Sequence, residues 1–153
     1  MDRPGRRAPQ QRDGRPALRI GDEISADQLD PAARAELRTL PSDLADSVAR
    51  HLVASGLQED PGQAYRYAQQ ARKLAARVGV VREACGIAAY RAGEWAEALA
   101  ELRAARRLTG RDSGLPLMAD SERALGRLDR ALAIVQAPQI RALDRATQIE
   151  LLI

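Results

Sequence analysis

Side chains that commonly carry chemistry are scarce here: one cysteine, Cys85, and one histidine, His51, in 153 residues. A Ser-His-Asp or Cys-His arrangement would rest on His51 alone, and one cysteine with one histidine cannot close a structural zinc site. Cys85 stands in "EACGIAA" among small apolar neighbours, the setting of a core thiol rather than a reactive one. His51 adjoins the helical stripe Leu44, Val48, Leu52 and reads as a structural histidine. There is no G-x-x-x-x-G-K-[ST] phosphate loop: "GRDSG" is followed by Leu115, not lysine. Glu94, Glu97 and Glu101 suggest a carboxylate cluster, but Arg103, Arg106 and Arg107 follow at the other end of the same segment. Acids first and bases last is the order the helix dipole favours, so this reads as a solvated helix face. The expectation is a non-enzymatic chain with no catalytic residue, metal or cofactor.

Charge and hydropathy narrow the class further. Residues 1–19 hold six arginines and two aspartates, a net of +4, while the whole chain is +3, leaving about −1 for residues 20–153. The basicity therefore belongs to a tail of Arg, Pro, Gly and Gln with almost nothing to bury, which predicts disorder. Its functional reading is an arm for nucleic acid or an acidic partner. The simpler reading is a solubilising tail, since no aromatic interleaves the charges. No charge-free apolar run approaches the roughly 18 residues of a membrane span, and the N-terminus lacks an apolar signal core, so a cytoplasmic location is expected.

Helix punctuation then organises the rest. Asp30-Pro31 and Asp60-Pro61 read as N-cap followed by first helical residue. Ser42 is expected to cap a helix that Gly56 ends, and Gly93, Gly110 and Gly126 to break later ones. The reading is a tail over 1–19, a linker with a short helix over 20–41, and a helical domain over 42–153 that stops mid-repeat. The helices recur. Gly93 in "RAGEWAEAL" returns as Gly126 in "ALGRLDRAL", and Ala64 in "EDPGQAY" returns as Ala98. Both intervals lie close to the period of about 34 that marks an array of helix pairs.

The residues at these positions resemble the tetratricopeptide repeat (TPR). In the middle unit Cys85 and Gly86 take the family's Leu-Gly positions. Gly93 is the turn glycine, Trp95 the aromatic after it, and Ala98, Leu102 and Ala105 the small-large-small series of the second helix. The next unit keeps Gly126, Ala131 and Val135 but has Pro138 where the last alanine belongs; the first keeps Ala64, Ala68 and Ala71. Arg82, Ala89 and Gly110 depart from the pattern. Gly86, Ala98 and Ala105 are expected to let paired helices approach closely. The resemblance implies an all-α, α–α superhelix of about three and a half helix-turn-helix units that binds a protein or peptide. It also implies that first helices line the concave face, which nominates Glu83, Ile87, Tyr90, Arg91, Asp120 and Arg123.

Two further expectations concern partners. Arg72 and Lys73 precede Arg106 and Arg107 by one repeat period, so stacking should align them as a basic ridge. The helix dipole explains each pair separately; the other reading is a docking stripe, and with the tail it gives the alternative function of weak nucleic-acid association. Residues 142–153 read as the first helix of a fourth unit, with Ala142, Ala146, Ile149 and Ile153 on one stripe above Leu132 and Val135. Its uncovered apolar edge suggests further repeats, or self-association through the C-terminal end.

Overall fold

The computed structural model describes residues 18–139 and residue 143. Among them the chain is all helical, with no strand. It comprises α1 (Pro31–Glu36), α2 (Ser42–Leu57), α3 (Pro61–Leu74), α4 (Gly79–Arg91), α5 (Trp95–Thr109), α6 (Leu115–Ala124) and α7 (Leu128–Val135), with 3-10 turns at Ala26–Gln28 and Leu37–Thr39. Each helix from α2 onward packs on the next, giving three hairpins: α2 with α3, α4 with α5, and α6 with α7. The C-terminal part of the tail reading, residues 18 and 19, is described. Residues 1–17, and 142–153 apart from Leu143, lie outside the described residues.

The hairpins are made locally. Asp60 accepts the Gln63 N–H at 2.8 Å, and Asp30 accepts those of Ala32 and Ala33 at 3.2 and 3.4 Å, each satisfying donors that a helix start leaves open. Gly93 and Gly126 close α4 and α6 in the left-handed region, at φ 76° and 74°. Each donates back to the third residue before it, and the following N–H (Glu94, Arg127) reaches the fifth, at 2.8–3.0 Å. The same glycine-terminated cap thus occurs twice, one repeat period apart. Just after these caps, Ala64, Ala98 and Ala131 sit buried at equivalent places in α3, α5 and α7. Gly86 acts through space instead, since a Cβ there would lie 2.7 Å from Leu102 Cγ and 3.2 Å from its backbone nitrogen. The missing side chain sets how closely α4 and α5 approach.

Three expectations are corrected. Gly56 does not end α2, which continues to Leu57; the chain leaves the helix at Gln58, extended at φ −76° and ψ 125°. Ser42 lies inside α2 rather than capping it, because Pro41 takes the cap position and no side chain closes that end. Residues 20–41 are no free linker. Leu37, 2% exposed, packs with Val48, Ala49 and Leu52 of α2, and Leu29 and Leu40 flank it. Arg50 holds the Ile24 carbonyl at 3.0 Å, and the Tyr67 hydroxyl donates to the Arg19 carbonyl at 2.6 Å. Glu36 accepts the Val80 N–H at 3.0 Å, closing the start of α4 from far back in the chain.

Candidate functional site

On α4, Glu83, Ile87, Tyr90 and Arg91 follow an i, i+4, i+7, i+8 spacing and share one face. Asp120 and Arg123 lie one turn apart on α6, which contacts α4. The Tyr90 hydroxyl donates to Asp120 Oδ2 at 2.5 Å, and Arg123 donates to Oδ1 at 2.6 Å. These two donors, Tyr90 first, hold the Asp120 carboxyl below its ordinary range. Tyr90 is also braced by an edge-on contact with Trp95, ring centres 5.4 Å apart. Three of the six nominated residues thus form a clasp between successive hairpins. Glu83 belongs elsewhere: it accepts from Arg111 and from Ser113 Oγ, both at 3.2 Å, while Arg111 also pairs with Glu36 at 2.6 Å. Ile87 is 39% exposed, and Arg91 is exposed beside it.

The acidic series on α5 is not one solvated face. Glu94 and Glu97 are exposed, but Glu101 is 5% exposed and bonded at 2.9 Å by Arg72 of α3 and, at its other oxygen, at 2.9 Å by Arg82 of α4. Its spacing holds the explanation. Ala98, Glu101, Leu102 and Ala105 stand at i, i+3, i+4 and i+7, so the carboxylate rides the buried stripe and two guanidiniums must neutralise it. Glu122 on α6 repeats the pattern with Leu115, Met118 and Ala119. It is fully buried, with Arg103 at 2.7 Å and Arg127 at 3.6 Å, and its Oε2 lacks a hydrogen-bond partner.

These pairs also reshape the basic ridge. Arg72 is committed to Glu101, and Arg106 holds Asp112 at 2.7 Å. Lys73 and Arg107 remain exposed. Arg103, Arg106, Arg107 and Asp112 border an open groove of about 540 Å³. A second groove, of about 580 Å³, runs between α3 and the α4–α5 turn beside Tyr65, Gln69, Glu94 and Glu97. Sequence reasoning weighs only Glu94 and Glu97 of its lining, and sets them aside as a solvated face; it misses Arg111 and Ser113, because their partners lie 28 to 75 positions away.

The two residues with nucleophile or base chemistry sit as follows. Cys85 is buried against Ala68 and Ala88, and burial, with Glu101 nearby, pushes its thiol up to about 12. His51 Nδ1 lies 2.7 Å from the Ser47 carbonyl of its own helix. No group of three or more His, Cys, Asp or Glu among the described residues is arranged to hold a metal ion. No helix among them is long and apolar enough to cross a membrane.

No protein-family model matches the chain, and neither a curated protein nor a solved structure matches it. The class is therefore set by the fold itself: an all-α chain of helical hairpins, each packed on the next.

Proposed function

We propose that this chain is a cytoplasmic, non-enzymatic scaffold of TPR-like hairpins that binds a protein or peptide along the face formed by α4 and α6. The observation that carries this reading is the Tyr90–Asp120–Arg123 clasp, which joins two successive first helices beside exposed Ile87 and Arg91. A rigid surface with an apolar residue and a cation one turn apart can recognise a peptide without first being ordered itself. Asp120 and Arg123 largely neutralise each other, so Ile87 and Arg91 supply the contacts and the clasp supplies the rigidity. Nucleic acid is the weaker alternative, since Arg72 and Arg106 of the ridge already hold carboxylates.

Affinity capture from native extract, with wild type beside an Ile87→Glu, Arg91→Glu variant and a Leu128→Glu control, tests this. A partner lost from the first variant and retained by the control is expected. Capture unaffected by the first variant, or bound nucleic acid whose affinity falls steeply with salt, would remove the reading.

A further inference from the structure

Glu36, the last residue of α1, and Glu83 on α4 share one guanidinium. Arg111, on the loop between α5 and α6, donates to Glu36 Oε1 at 2.6 Å and to Glu83 Oε2 at 3.2 Å. The other two oxygens also accept, Glu36 Oε2 from the Val80 N–H at 3.0 Å and Glu83 Oε1 from Ser113 Oγ at 3.2 Å. Two carboxylates that meet on the same group would repel each other without it, so the place requires a cation. Arg111 shows which cation the pair accepts: a planar fork that gives one nitrogen to each carboxylate.

Arg111 is nevertheless a loose occupant. Charge-assisted N–H bonds run at about 2.7–2.9 Å, and hydroxyl-to-carboxylate bonds are shorter still. Both donors to Glu83 therefore stand long. The Arg111 side chain is 45% exposed and both carboxylates reach water, and an ion pair so open to solvent holds weakly. Nor does the loop depend on it. The Asp112 carboxylate is held by Arg106 at 2.7 Å, its carbonyl accepts the Leu115 N–H at 3.1 Å, and the Arg111 N–H donates to Thr109 Oγ1 at 3.1 Å. The guanidinium can leave while the backbone that carries it stays in place.

Position points to what replaces it. Glu83 and Ile87 are i and i+4 on one face of α4, about 6 Å apart along the axis. In an extended peptide alternate side chains share a side and lie about 7 Å apart. A peptide with an apolar residue two places from an arginine thus reaches exposed Ile87 and the Glu36–Glu83 pair together. Resting on the peptide-binding reading above, we propose that Glu36 and Glu83 form a subsite for an arginine of the bound peptide, with Arg111 as its displaceable internal occupant. The free protein carries its own competitor, and a peptide lacking the arginine leaves Arg111 in place.

The full-length Arg111→Ala variant vacates the subsite, and N-ethylguanidinium, the fragment removed, is the first probe. Titration followed at the Val80 and Glu83 amide resonances should saturate. Binding should be about ten-fold tighter than that of ethylammonium, a point charge that cannot serve both carboxylates. It should also be about ten-fold tighter than in wild type, where tethered Arg111 competes. A blocked Arg-Gly-Leu tripeptide, the second probe, should show the same preference for the variant. Should the variant lose its helical circular dichroism, recovery with N-ethylguanidinium and none with ethylammonium becomes the expected result. Equal affinity for the two cations, equal affinity of variant and wild type, or no recovery would overturn the proposal. Binding of N-ethylguanidinium without the tripeptide would overturn it too, by making Arg111 a fixed internal strut. The N-ethylguanidinium titration involves neither a partner nor Ile87, so its failure is separate from that of the peptide reading, which the Ile87→Glu, Arg91→Glu capture decides.

Discussion

At its N-terminal end the array is covered: Leu37 is buried against α2, and Glu36 closes the start of α4. At its last described hairpin, Leu128 and Leu132 stand largely open. Both ends are built from short helices, α1 with six residues and α7 with eight, so length does not separate them. What differs is whether a neighbouring element lies over the apolar side. In an array each hairpin buries one face on the unit before and offers the other to the unit after. An end is therefore stable to the extent that something outside the repeat covers it.

The largest effects should come from breaking this contrast directly. Leu37→Ala removes a fully packed side chain and should cost about 3 kcal/mol, whereas Leu132→Ala should cost about 1 kcal/mol, because α7 alone buries little of it. Urea unfolding of both variants measures the difference. Equal losses would mean that the two ends are covered equally well.

The buried carboxylates come next. Glu101 has one guanidinium on each oxygen, while Glu122 has one well-placed partner and an oxygen left without a hydrogen bond. Glu101→Gln should destabilise by about 2 kcal/mol, since two cations lose their counter-charge; Glu122→Gln should cost about half that. The same unfolding assay decides the order. A larger loss at Glu122 would show that its network is complete and that the C-terminal hairpin depends on it more heavily.

Much of this architecture is legible in the sequence because its causes are local. Asp30-Pro31, Asp60-Pro61, Gly93 and Gly126 act within a single turn, so short stretches reveal the helices and the repeat period. Leu37 is less visible, since a lone apolar residue in a polar stretch gains meaning only when α2 is seen beneath it. Glu101 passes for a solvated residue when the helix dipole alone is weighed, although its spacing with Ala98, Leu102 and Ala105 places it on the buried stripe. Of the nominated site residues, Tyr90, Asp120 and Arg123 come together across 30 positions, while Glu83 is drawn away by Arg111. Side-chain pairing between non-adjacent elements leaves no periodic trace.

The turn glycines sharpen the comparison at smaller cost. Gly93→Ala and Gly126→Ala each force an L side chain into the left-handed region, where a Cβ would meet nothing closer than 3.9 Å. Backbone strain is then the sole penalty, about 1 kcal/mol at either site. Hydrogen exchange should show the Gly93 variant loosening α4 and α5 together. The Gly126 variant should loosen only α6 and α7. Uniform loosening in both would mean that the hairpins unfold as one unit.

Two carboxylate clasps, one near each end, complete the comparison, and the second of them carries the smallest expected effect. Glu36 accepts a helix-start N–H and pairs with Arg111, so Glu36→Gln should cost about 1 kcal/mol. Asp120, with its side chain 39% exposed, is screened by water, and Asp120→Asn should cost only about 0.3 kcal/mol at neutral pH. The pH dependence follows from the direction of its shift. Its carboxyl is held below the usual 3.8, so its contribution is present above that value and is lost as the pH falls below it and the folded protein takes up the proton. Tyr90→Phe removes the leading cause of the shift. The stability difference between Tyr90→Phe and wild type should accordingly narrow below about pH 4. A difference that stays constant from pH 7 to pH 3 would show that the Tyr90 hydroxyl acts through packing against Trp95, leaving the Arg103–Glu122 pair to link the second hairpin and the third electrostatically.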